Sequence, residues 1–154
     1  MNIKPEDFTD QAQAVLGASH EIVRELHHTQ WDVEHLLLAL LETEKGVPIQ
    51  ILEHLKVDLP SVITDVKEIL NQAPQVAYDA GQIYATPRAL GIIEVAKNEK
   101  ERLHDDFIGA EHLLISIASG DDVAARLLQQ HGADKVVVAG KRFLEAADQV
   151  RGGD

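Results

Sequence analysis

One set of residues occurs twice in this 154-residue chain. Thr9, Ala12, Leu26, His27, Glu34, His35, Leu36 and Leu37 return 77 positions later as Thr86, Ala89, Leu103, His104, Glu111, His112, Leu113 and Leu114. Recurrence at a fixed interval of this size marks a tandem repeat, in which each copy buries its apolar face against the other. Matched polar residues then stand on related faces, which places the candidate functional site at the seam between the copies.

Within each copy the apolar residues keep helical spacing. Thr9 stands as the cap of a first helix carrying Ala12, Val15, Leu16, Ile22, Val23 and Leu26, with Asp10 near its positive dipole end. Residues 33–41 are apolar around so much of their circumference that this second helix, capped by Asp32, must lie between others. Gly46 and Pro48 introduce a short third helix, and Asp58 and Pro60 open a fourth with Val62, Ile63, Val66, Ile69 and Leu70. The second copy repeats the plan. Thr86-Pro87 starts a helix to about Arg102, residues 107–119 repeat the central helix, Asp121 or Asp122 caps a short one, and Gly132 ends it. The register slips by one there, Val47 and Leu52 matching Val123 and Leu128. A last helix carries Val136, Val137, Phe143, Leu144, Ala147 and Val150.

The expected fold is therefore all-α, eight helices as a pseudo-two-fold tandem repeat of two four-helix units. Repeat one covers about 8–72, a linker with Pro74 and Gly81 about 73–85, and repeat two about 86–150. One shared core is expected, because each copy alone is near the lower size limit for independent folding. Residues 151–154, Arg-Gly-Gly-Asp, are expected as a disordered tail or the start of a tether.

Several functional classes are disfavoured. The 26 acidic residues against 14 basic ones, with three Phe, two Tyr and one Trp, supply neither the positive field nor the stacking rings of a nucleic-acid binder. The longest apolar run, residues 36–41, is far short of the roughly 20 residues that span a bilayer. With no cysteine and no signal-peptide pattern, a reducing, cytoplasmic setting is expected. Gly140-Lys141 is followed by Arg142, so no phosphate-binding loop is present. The eight histidines show no metal-ligand spacing, and His35 and His112 suit capping or core roles better. No nucleophile and base are arranged for catalysis, so a binding role without metal or cofactor is expected, and a metal-dependent hydrolase is the reading disfavoured.

Three features remain beyond the needs of folding. Glu34 and Glu111 each open an otherwise apolar central helix, where a carboxylate answers the helix dipole and can also pair with a guanidinium at the seam. Thr9 and Thr86 cap helices whose free amides can meet an anion. Leu90 and Val95 flank the polar side of the fifth helix, an apolar surface suited to an extended, unfolded peptide.

Four blocks in order carry a family resemblance: Phe-Thr-Asp-Gln-Ala at 8–12, Val-Glu-His-Leu-Leu-Leu-Ala-Leu-Leu at 33–41, Thr-Pro-Arg at 86–88 and Phe-Ile-Gly-Ala-Glu-His-Leu-Leu at 107–114. With these the chain resembles the amino-terminal domain of the Clp ATPases, nearest in pattern to the ClpB disaggregases and related to ClpC and ClpA. The resemblance implies a globular, eight-helix pseudo-two-fold domain, monomeric when isolated, flexibly tethered to a hexameric AAA+ motor, where it engages unfolded or aggregated client proteins and, in some members, adaptors. It also implies that Thr9, Asp105 and Glu111 are the client-responsive positions. In the ClpC branch the glutamates matching Glu34 and Glu111 help bind phosphorylated arginine. There a Thr precedes each, whereas this chain has Val33 and Ala110, so that role is not carried over. The alternative is a stand-alone accessory protein that docks on a Clp protease or motor, although the abrupt end at Asp154 favours a piece of a longer chain.

Overall fold

The computed structural model describes residues 3–43, 46–77 and 81–133. The helix expected around Val136 to Val150 lies outside them. After a 3-10 turn at Pro5–Asp7, the first repeat builds α1 (Asp10–Glu25), α2 (Val33–Glu42), α3 (Val47–His54) and α4 (Leu59–Asn71). The second builds α5 (Pro87–Arg102), α6 (Ala110–Ala118) and α7 (Val123–Leu128), the last running into a wider turn at Gln129–Ala133. Gly132, at φ +87°, ends that turn in the left-handed region, where only a residue without Cβ is unstrained.

The core forms around α2 and α6. Every residue of α2 except Glu42 is buried, as is every residue of α6 except Glu111. Helices this apolar need neighbours on all sides, and α1, α3, α4, α5 and α7 supply them. The most extensive packing of an outer on a central helix lies within each repeat, α1 on α2 and α5 on α6, while α2 against α6, α3 against α6 and α2 against α5 join the two. The fold is an all-α double repeat.

Two short parallel ladders join the repeats, and both are too short to leave an alternating pattern in the sequence. β1 (Gln30–Trp31) pairs with β2 (Tyr84–Ala85), Gln30 opposite Tyr84 and Trp31 opposite Ala85. At the pseudo-equivalent place Phe8 forms a single parallel bridge with Ile108. The Thr86 amide donates to the Trp31 carbonyl at 3.0 Å, and the Thr9 amide donates to the Ile108 carbonyl at 3.0 Å. Each repeat thus suspends its first helix from the strand that precedes the other repeat's central helix.

Both threonines cap as expected, Thr9 Oγ1 accepting the Ala12 amide and Thr86 Oγ1 the Ala89 amide, each at 3.1 Å. Thr86 does more, because its hydroxyl donates to Asp32 Oδ1 at 2.8 Å. Thr86→Ala is therefore expected to cost about 1–2 kcal/mol in urea unfolding and Thr9→Ala only about 1 kcal/mol. Equal losses would contradict the added role.

Candidate functional site

Two clusters stand at the N-termini of α2 and α6, related by the repeat yet filled differently. In the first, Asp32 caps α2, its Oδ1 accepting the Val33 amide at 2.8 Å and the Thr86 hydroxyl. Glu34 is 8% exposed. Arg88, from the first turn of α5, donates through Nη2 to both Glu34 oxygens at 2.8 and 3.0 Å. The same guanidinium reaches Asp32 Oδ1 at 3.1 Å and Asp122 Oδ2 at 3.1 Å. Burial pushes the Glu34 carboxyl above its ordinary range despite Arg88. Burial acts the same way on Asp32, but the Val33 amide, the Thr86 hydroxyl and Arg88 outweigh it and hold that carboxyl low. Burial works against the Arg88 charge too, and the carboxylates more than offset it.

The second cluster has the same backbone and fewer charges. Gly109 replaces Asp32, Gln11 replaces Arg88, and Gly46 replaces Asp122. Glu111 folds into the room that Gly109 leaves: a Cβ there would stand 2.2 Å from Glu111 Oε1. Gln11 lies against Gly46, within 2.9 Å of where a Cβ would be. Among the described residues no lysine or arginine pairs with Glu111, whose Oε1 lies 3.9 Å from His112 Nδ1.

A histidine orders each cluster from below. His35 Nδ1 accepts the Asp32 amide at 3.0 Å, and His112 Nδ1 accepts the Gly109 amide at 2.8 Å. That fixes the proton on Nε2 of both rings. His112 then donates to Asp105 Oδ2 at 2.8 Å, while His35 donates to His28 Nδ1 at 2.9 Å. Asp105 and His28 are thus equivalents that perform one positioning task. Burial, reinforced by His28, lowers the His35 pKa to about 4. His28 is lowered by burial as well, an effect the Leu70 carbonyl partly offsets.

Between α1 and α5 runs an apolar groove of about 480 Å³, lined by Phe8, Leu16, Trp31, Leu90, Ile93 and His20 among others. Leu16 and Ile93 are repeat equivalents, so the groove lies on the pseudo-two-fold seam. Trp31 forms its wall, its ring stacked on His20 at 4.9 Å and its Nε1–H donating to Ser19 Oγ at 2.8 Å. Leu90 and Val95 are 40% and 41% exposed, and only Leu90 lines the groove.

Of the residues singled out in sequence, the structure gathers Thr86 and Glu34 in the first cluster and Asp105 and Glu111 in the second. Thr9 lies beside the second through its bond to Ile108, Leu90 lies in the groove, and Val95 lies apart from it. The sequence reading assigns no role to Arg88. Its signal is its position: a cation two residues past a helix cap sits at the wrong end of the dipole unless carboxylates meet it there.

The fold and its seam define the class, an all-α double-repeat module with a charged cluster under each central helix and an apolar groove between its outer helices. The chain belongs to the Clp repeat (R) N-terminal domain family, which it matches over residues 7–131. It is 32% identical over 121 residues to the ATP-dependent Clp protease ATP-binding subunit ClpC of Staphylococcus saprophyticus, covering 78% of this chain and 14% of that protein. The chain therefore spans about a seventh of the length of such relatives. In fold it is similar to the Hsp104 N-terminal domain from Candida albicans, with a TM-score of 0.79 and 17% identity over 89% of this chain and 91% of that one. It is also similar to the ClpV N-domain in its complex with VipB peptide, with a TM-score of 0.69 and 12% identity over 93% and 91% of the two chains. No helix among the described residues is long and apolar enough to cross a membrane.

Proposed function

We propose that this chain is the non-catalytic client-binding domain of a ClpB-like AAA+ disaggregase, working in the cytoplasm. Its task is to capture unfolded or aggregated proteins, directly or through adaptors, for an ATP-driven hexameric motor. The groove between α1 and α5 carries this reading. It is apolar and open, and Leu90 is exposed at its edge, where it can meet an apolar side chain of a client. Thr9 follows Phe8 of the groove wall and bonds to Ile108, which links the groove to the cluster where Asp105 orients His112 and Glu111 offers a carboxylate to basic residues of the client. Likeness to an N-domain that holds a peptide adds support.

Capture of this kind works best when it is weak. A tether already raises the client's effective concentration near the motor, and each 1.4 kcal/mol of added affinity slows release about tenfold at constant on-rate. A reduced, carboxymethylated unfolded protein is expected to bind with a Kd of about 100 μM or weaker. The single tryptophan, Trp31, reports binding by fluorescence from the groove wall. Leu90→Asp is expected to weaken binding about tenfold, whereas Asp at Val123, exposed on another face, leaves it unchanged. Nanomolar affinity, or equal effects of the two substitutions, would refute the reading.

A further inference from the structure

Comparison of the two clusters shows one of them already occupied. Arg88 holds Glu34 through Nη2, which donates to both carboxylate oxygens, and touches Asp32 with the same nitrogen and Asp122 with Nη1. Several carboxylates sharing the N–H groups of one guanidinium is an arrangement that suits an arginine better than a lysine side chain. The repeat equivalent of Arg88 is Gln11, which carries no charge, and the equivalents of the two flanking carboxylates are Gly109 and Gly46. The second cluster therefore keeps its glutamate, Glu111, without an internal cation among the described residues. Helix dipoles do not explain the difference, since a cation at the start of α5 is disfavoured by its own helix. Three carboxylates hold it there, two at the start of α2 and one capping α7.

We propose that Arg88 is a built-in occupant of the first repeat's carboxylate site, an autoinhibitory contact that closes Glu34 to basic side chains of a partner. Among the described residues the domain is thereby one-sided: of the two glutamate sites, only the one at Glu111 lacks an internal cation, and removal of the Arg88 guanidinium uncovers the other. This deepens the client-binding reading and rests on it for its biological use, while the closure of Glu34 is testable without any client. The contact is partly solvated, with the Arg88 side chain 39% exposed, so solvent and a competing guanidinium have access to it once the Arg88 guanidinium is removed.

The experiment is a titration of the chain with N-acetyl-arginine amide, read by amide chemical shifts in wild type and in Arg88→Gln, which gives the first repeat the residue found at position 11. In wild type no arginine-dependent shift is expected at Asp32, Val33, Glu34 or Thr86. In the variant those four amides are expected to shift saturably at millimolar arginine, and the neutral N-acetyl-citrulline amide is expected to move none of them. Gly109 and His112 amides that keep their wild-type positions before any arginine is added certify the fold of the variant. A folded variant with no arginine-dependent shift at Glu34, or a wild type that shifts there as strongly as the variant, would overturn the proposal.

Should Arg88→Gln not fold, Arg88→Lys serves in its place, because a single ammonium cannot span the three carboxylates as the guanidinium does. Shifts at Glu34 above those of wild type then support the proposal, and their absence overturns it. The two readings fail separately. Loss of unfolded-protein binding to the groove would remove the client-binding function while leaving the Glu34 result standing, and the reverse outcome would remove only the autoinhibition.

Discussion

Trp31→Ala is expected to destabilise the fold by about 3–5 kcal/mol, the largest loss foreseen for a single side chain here. Trp31 is 3% exposed, although it comes from a strand of only two residues. Three interactions depend on it. Its backbone anchors the ladder to Ala85 and the bond to the Thr86 amide. Its ring fills the space between α1 and the groove, against His20. Its indole N–H satisfies Ser19 Oγ, a fully buried hydroxyl whose own proton goes to the Leu16 carbonyl. Truncation leaves the backbone bonds and removes the other two, opening a cavity beside a buried oxygen without a donor. Trp31→Phe separates these effects: it retains most of the apolar volume and forfeits the hydrogen bond, for an expected loss of about 1–2 kcal/mol. Urea denaturation checks both, and a Phe variant as unstable as the Ala variant would show that the hydrogen bond, not the packing, dominates.

Acidification is expected to produce the second large effect, between pH 6.5 and 4. In the unfolded chain His35 takes up a proton near the ordinary histidine value of 6.5, whereas in the folded chain it resists until about pH 4. Throughout that window the unfolded state holds more protons, so stability is complete above pH 6.5 and falls as the pH is lowered to 4. The loss from His35 alone is on the order of 3 kcal/mol, and His28, lowered in the same direction, adds to it. Glu34 opposes the trend near the lower end, because its raised pKa lets the folded state bind a proton early. His35→Asn retains an acceptor for the Asp32 amide and removes the titration. Its stability is expected to vary much less with pH over this window than that of wild type. An unaltered pH slope in the variant would exclude His35 as the source.

Much of this architecture is legible in the sequence because apolar periodicity and caps state it locally. Thr9, Asp32, Asp58, Thr86 and Asp122 all cap where side-chain chemistry says they should. The apolar runs of α2 and α6 mark them as the buried pair. Helix ends at His27, Lys56 and His104 are less legible: all three adopt positive φ without being glycine, so no residue type announces the stop. The ladders are invisible at two residues or fewer per strand. In the site, the glutamates stand out through duplication, whereas their unequal occupancy depends on Arg88 reaching 54 positions back to Glu34. No local rule encodes such a contact. It emerges only when the ladder between β1 and β2 has brought the start of α5 beside the start of α2.

The exchange of strands between the repeats also bears on how such a molecule came to exist. Phe8 needs Ile108, and Trp31 needs Ala85. A half-length ancestor, possessing one copy of each segment, would meet that requirement only by pairing with a second identical molecule, each lending its leading segment to the other. Gene duplication then converts a reciprocal dimer into one covalent chain, and two formerly identical surfaces become free to diverge. The contrast between Arg88 and Gln11 is what such divergence leaves behind: symmetry kept in the backbone and given up in the charges.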